Sequence, residues 1–307
     1  MEDRLIHPTE LFVDSFKVQR EWIEGKGMLL LLAIFFGELG AGMFLVSWYL
    51  NYLLGMVFGI VIVASLKTTF HILFLGQPLK FWRAFTRPQS SWISRGVIIM
   101  SVFVVFGGLY VLPAIPGFNW LPWTAQSPLG NALVVVAIVA ALGEIIYVGF
   151  LLASLPSIPF WNSGLLPILF ITYSLLDGAG LTFIIAPALS NEAINVHQLK
   201  RIEIWLTLFA IINILAYIWT MYHTTVGGKE SVLELIKGRI ATPFIGGVLI
   251  VGILIPLPVA IYAHFFLMPY AVLGITAFMA LAGSFLLRYS ILKAGIFPPL
   301  YPLYTPV

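Results

Sequence analysis

Cysteine is absent from the 307 residues, which excludes a protein-borne iron–sulfur cluster, a c-type haem attachment and any disulfide. Charge is nearly as scarce. Asp, Glu, Lys and Arg make up 9% of the chain, against about 25% in an ordinary soluble domain. The 16 basic and 13 acidic side chains cannot clothe one large water-facing surface. No phosphate-binding loop, zinc motif or nucleic-acid signature is found. A cleavable leader is not expected, because residues 1–27 are mostly polar and the apolar run after them is too long for one. What the chain has in abundance is apolar: 60% hydrophobic residues, a mean hydropathy of +1.01, 24 Phe, 12 Tyr and 9 Trp. That composition predicts an all-α, polytopic membrane protein.

Apolar runs divide the sequence into eight expected spans, at 28–53, 55–75, 94–114, 131–156, 164–187, 201–224, 241–264 and 268–292. Each reaches the roughly 20 residues that cross about 30 Å of hydrocarbon. None alternates as the short segments of a β-barrel do. The expected organisation is a polar N-terminal segment at 1–27, a membrane domain at 28–292 and a proline-rich tail at 293–307. Eight spans put both ends on one side. That side carries 12 Lys and Arg, the opposite side only Lys200 and Arg201, while Lys67 and Arg288 fall inside spans. The positive-inside rule then puts both ends of a multi-pass cell-membrane protein in the cytoplasm. Between the second and third spans, GQPLKFWRAFTRPQSSW interleaves aromatic and basic side chains. It suits either a headgroup-level segment or a platform for a peripheral subunit. SVLELIK at 231–237 is a short amphipathic stretch that fits the membrane surface.

Four charges lie near the middle of their spans: Glu38, Lys67, Glu144 and Asp177. Each costs about 2.5–3.5 kcal/mol near the bilayer centre by insertion scales, so all four are expected to face protein or water. Lys67 paired with one carboxylate is the simplest neutralisation. Glu38 is the nearest choice, because the first two spans are joined tightly. Three carboxylates then face one ammonium, and the surplus favours proton exchange. His71 lies one turn beyond Lys67 and Tyr147 three residues after Glu144, each on a shared helix face. Imidazole, phenol and carboxyl groups at this depth suit a ligand with two ring oxygens and an apolar body, such as a quinone. Gly37, Gly40, Ala41 and Gly42 surround Glu38, and Gly178, Ala179 and Gly180 follow Asp177. Such runs serve close helix packing or leave room for a ring. Only His71 and His223 lie at comparable depth, and as single residues with no second pair they argue against a haem held by this chain.

Three stretches carry a resemblance: GELGAGMF at 37–44, LFLGQPLKFWRAFTRPQSSWISRG at 73–96 and YVGFLLASLPSIPFWNSGLLPILF at 147–170. With eight spans, the sequence is similar to the integral-membrane, quinone-reactive subunits of the polysulfide reductase and nitrite reductase type. The resemblance implies a subunit of a multi-subunit oxidoreductase rather than an enzyme alone. It implies menaquinone or ubiquinone, menaquinone first, and partners comprising a ferredoxin-like iron–sulfur subunit and often a molybdopterin catalytic subunit. The quinone is then expected between the first, second and fourth spans. Tyr147 and His71 would hold it, and Glu38, Lys67, Glu144 and Asp177 would carry protons. Three departures stand out. Val148 and Gln77 replace a frequent Thr and Arg, and the first span lacks the histidine that other members place there. A proton-coupled secondary transporter would use the same buried acids, but it calls for matching interrupted spans in two halves.

Overall fold

In hydrocarbon, every backbone N–H and C=O must be bonded within its own segment, and the apolar runs meet this demand as helices. The computed structural model describes residues 16–189 and 195–299. Eight of its helices are long and apolar enough to cross a membrane: Gly27–Tyr49, Leu53–Phe74, Trp92–Ala114, Pro128–Ala153, Leu165–Ala186, Val196–Thr224, Thr242–Phe265 and Tyr270–Lys293. They match the expected spans to within a few residues. The first span stops at Tyr49 because Asn51 takes a left-handed backbone (φ 54°) in the tight turn before the second. The sixth begins early because Asn195 Oδ1 accepts the Gln198 amide at 2.9 Å and caps the helix. Ser91, Ser127 and Thr225 cap their helices in the same way. The N-terminal residues before 16, the 190–194 part of the far-side loop and the last eight residues of the proline-rich tail lie outside the described residues.

The first span is the axis of the bundle. It packs against the second, fourth and fifth, and the fifth packs in turn against the sixth and eighth. Of its most apolar window 78% is enclosed, against 17% for the third span, which has a face left for lipid. Glycines set these approaches. A Cβ on Gly42 would collide with the Ser174 backbone, and one on Gly178 with the Gly42 backbone. The glycine runs therefore serve helix packing at Gly42 and Gly178.

Two spans carry π-helical stretches. The second widens into a π-helical stretch at Val63–Lys67. The seventh is π-helical over Thr242–Leu254 and returns to α-helix at Pro256, with the Ile255 amide reaching back five residues to the Ile250 carbonyl at 3.0 Å. Outside the spans, the amphipathic stretch forms the helix Val226–Ile236, and Pro78–Phe85 folds as a 3₁₀ segment.

The two ends of the described chain meet. Lys17–Val18 pairs antiparallel with Ile296–Phe297, and the Gln19 amide donates to the Gly295 carbonyl at 2.8 Å. Lys293 Nζ donates to Glu24 Oε1 at 2.7 Å beside this clasp. The PFWNS stretch at 159–163 belongs to the same end. Trp161 is fully buried, its indole N–H donates to the Ile291 carbonyl at 2.8 Å, and its ring meets Trp22 edge-on. The Phe160 carbonyl accepts from the Tyr217 hydroxyl. This segment of the resemblance is a structural junction between helices.

Candidate functional site

Among the described residues, five charged side chains are buried: Glu38, Lys67, Glu144, Asp177 and Arg288. They form two groups. Lys67 Nζ pairs with Glu144 Oε1 across the second and fourth spans. Arg288, on the eighth span, donates through Nε to Glu38 Oε2 at 2.6 Å and lies 3.0 Å from Asp177 Oδ2 through Nη1. Ser284 Oγ donates to the same Asp177 oxygen at 2.8 Å, and Arg288 Nη1 also donates to the Ser284 hydroxyl. The rings of Phe35 and Phe170 flank the guanidinium at 5.6 and 5.8 Å.

This arrangement corrects two expectations. The partner of Lys67 is Glu144, not Glu38. The reason lies on the first span, where Gly37 presents no side chain. A Cβ there would stand 2.7 Å from Lys67 Cδ and 2.8 Å from Glu144 Oε1, so the missing side chain is the gap in which the pair meets. Nor does one ammonium face three carboxylates, because Arg288 is a second buried cation. Sequence reasoning passed over it, since Arg288 stands five residues before Lys293, the last residue of the span. The usable signal was a second acid-rich pair of spans lacking a cation.

Next to Lys67 a cavity of about 250 Å³ opens between the second, third and fourth spans, under the Pro78–Phe85 segment. Its walls are mainly apolar, with Ile72, Phe81, Phe85, Val97 and Met100 among them. Polar groups enter from three spans: Lys67, Thr68 and His71 from the second, Ser101 from the third and Tyr147 from the fourth. The π-helical stretch ends at Lys67 and so sets where its side chain points. Gly96 permits the close seating of Tyr147, for a Cβ there would fall 2.5 Å from the ring. Lys67 Nζ lies 5.5 Å from the centroid of that ring. His71 Nδ1 is buried without a hydrogen-bond partner.

The cavity departs from the expected position. The first span supplies none of its lining residues, because Gly37 and Glu38 lie behind the Lys67–Glu144 pair; the third span and the 3₁₀ roof take its place. Of the six residues proposed from sequence, Lys67, His71 and Tyr147 line this cavity. Glu144 stands behind Lys67, and Glu38 and Asp177 surround Arg288. Among the described residues no cluster of three or more His, Asp or Glu is placed to hold a metal ion.

A concave, largely apolar chamber with a few convergent donors suits a flat organic ring with polar edges. Comparison with known proteins agrees with the helical frame around it. The chain is 28% identical over 262 residues to a protein NrfD homolog of Haemophilus influenzae, covering 76% of this chain and 80% of the relative. It is 29% identical over 177 residues to protein NrfD of Escherichia coli, covering 50% and 54% of the two chains. With the C subunit of polysulfide reductase from Wolinella succinogenes it shares 26% identity over 236 residues, covering 72% and 74%. The family model described as polysulphide reductase, NrfD, matches residues 27–299, all eight spans included, and the chain belongs to that family.

Proposed function

We propose that this chain is the membrane anchor of a respiratory oxidoreductase, and that its cavity takes the head group of a membrane quinone, menaquinone first. It would exchange electrons with a docked iron–sulfur subunit that serves a molybdopterin or other catalytic subunit. The observation that carries the reading is the meeting of Lys67, His71 and Tyr147, from two spans, in one apolar chamber. The residues present fit such a group: the walls suit a ring, and the buried His71 Nδ1 lacks a partner.

When bound, a quinone supplies two-electron, two-proton chemistry at its ring oxygens. The chain's own part is to bind, orient and handle protons. Tyr147 Oη and His71 are the hydrogen-bonding groups for the two oxygens. Phe81 and Phe85 line the chamber from the Pro78–Phe85 segment and narrow it with apolar rings. Lys67 Nζ brings positive charge to the rim, and Glu144 Oε1 keeps that ammonium charged at an otherwise prohibitive depth. Glu38 and Asp177 lie further in, where they can hold or pass protons.

The cavity, its 3₁₀ roof and most of the basic side chains share the end of the bundle where Lys17–Val18 pairs with Ile296–Phe297. That supports docking of the iron–sulfur partner over the roof, on the side that the positive-inside rule places in the cytoplasm. The transporter reading gains nothing from the interruptions, which fall in the second and seventh spans and so do not occupy equivalent places in two halves.

The test is Tyr147→Phe in the complex purified with its native partners. Quinol-linked turnover should fall by about 10²-fold, the contribution of a positioned proton donor. Activity of the partner subunits with a soluble electron donor should be unchanged. Undiminished turnover with quinol would remove Tyr147 from the site and the quinone from this cavity.

A further inference from the structure

The Arg288 group has a composition that ion pairing alone does not balance. The buried charged residues of the described chain are three carboxylates, Glu38, Glu144 and Asp177, and two cations, Lys67 and Arg288. Fully ionised, they leave one negative charge without a counter-charge inside the bundle. An isolated ionised carboxylate in such a medium neutralises itself by taking up a proton.

The geometry also indicates where the proton goes. Glu144 has its own ammonium in Lys67, one to one, although its second oxygen, Oε2, has no donor. Glu38 and Asp177 share a single guanidinium, which engages one oxygen of each. Their other oxygens, Glu38 Oε1 and Asp177 Oδ1, are buried and have no hydrogen-bond partner. Glu38 is 0% and Asp177 1% exposed, so bulk water does not serve these atoms. Arg288, Ser284, Ser174 and the Tyr173 phenol complete the polar surroundings, from the fifth and eighth spans. From the second span, the field of Lys67 also reaches Glu38.

We infer that the Glu38–Arg288–Asp177 group is a proton-binding site, with one proton resident on the two carboxyls at neutral pH. Binding is simple association: a carboxylate oxygen gains a proton, and the net charge of the five groups rises from minus one to zero. Arg288 keeps the second carboxyl ionised, and Ser284 donates to Asp177 Oδ2. The site holds its proton whether or not the cavity binds a quinone. It lies one residue along the first span from Gly37, which makes room for the Lys67–Glu144 pair, so it adjoins the pair behind the cavity.

Infrared difference spectroscopy on the full chain in its native complex reads this directly. Uniform ¹³C labelling of the protein separates its carboxyl C=O stretch from that of lipid esters. Wild type minus Glu38→Gln and wild type minus Asp177→Asn should each show loss of one protonated-carboxyl band at neutral pH. Wild type minus the Lys67→Met/Glu144→Gln double variant should show no such loss. Ser284→Ala retains every charge and should shift the band. No protonated-carboxyl band in the wild type, a Ser284→Ala band at unchanged frequency, or a band lost only with Glu144 would each overturn the assignment.

Discussion

Lys67 belongs at once to the cavity wall and to the buried pair, so its removal has two separable effects. Taking away the ammonium leaves Glu144 buried beside nothing of opposite charge, and breaking such a pair from one side costs about 3–5 kcal/mol. Lys67→Met should therefore lower the unfolding midpoint of the purified protein markedly. Lys67→Met/Glu144→Gln should recover most of that loss while quinol turnover stays low. Equal midpoints for the single and double variants would show that the pair contributes no stability. The chemistry of both residues was legible in the sequence, because a charge in a long apolar run announces itself. Their partnership was not. Chain proximity favoured Glu38, and only the gap at Gly37 explains why Lys67 reaches past the first span to the fourth. Arg288 falls inside the last expected span, but only four residues before its expected end at 292 it does not stand out as a buried counter-charge.

At the scale of the helix, the π-helical stretch at Val63–Lys67 carries the site's orientation. A π-bulge is in effect one extra residue accommodated within an α-helix, and each residue of an α-helix turns about 100°. Deleting Ala64 should restore a regular helix and swing Lys67, Thr68 and His71 out of alignment with the first half of the span. The expected outcome is a chain that still inserts and assembles but has lost quinol turnover. Turnover at the wild-type level, measured on the assembled complex, would show that the bulge does not orient the site. All eight spans were legible, because length and apolarity alone decide them. The bulge was not, since no composition distinguishes a bond to the fourth residue back from one to the fifth. The 78–85 segment was ambiguous for a related reason. Its alternating aromatic and basic residues suit a headgroup layer, a docking surface and a cavity roof equally well, and the structure shows that Phe81, Ala84 and Phe85 serve as the roof.

Across the whole molecule, the joined ends make the fold sensitive to acid at one place outside the membrane. The hydrogen bond from Lys293 holds the Glu24 carboxyl below its ordinary value of 4.5. A depressed carboxyl stabilises the fold above its unfolded value, and the contribution disappears as pH falls through the lower, folded one. Protection of the Gln19 amide from hydrogen exchange should hold at neutral pH and weaken on acidification below the ordinary carboxyl value of 4.5. In Glu24→Gln that added sensitivity should be absent; identical profiles for the two proteins would exclude a role for Glu24 in the clasp. That both ends share one side followed from an even number of spans, but their pairing as strands is long-range and left no local mark. Connections of this reach also have a consequence in time. Glu38 and Arg288 are 250 residues apart, and at translation speeds of 5–20 residues per second the interval between them is about 12–50 s. Throughout that interval the first helix resides in the translocon or bilayer with an acid whose counter-ion has not been synthesised. Nascent chains must therefore carry Glu38 neutral or sheltered, and the emergence of the eighth helix is the event that locks the first into place.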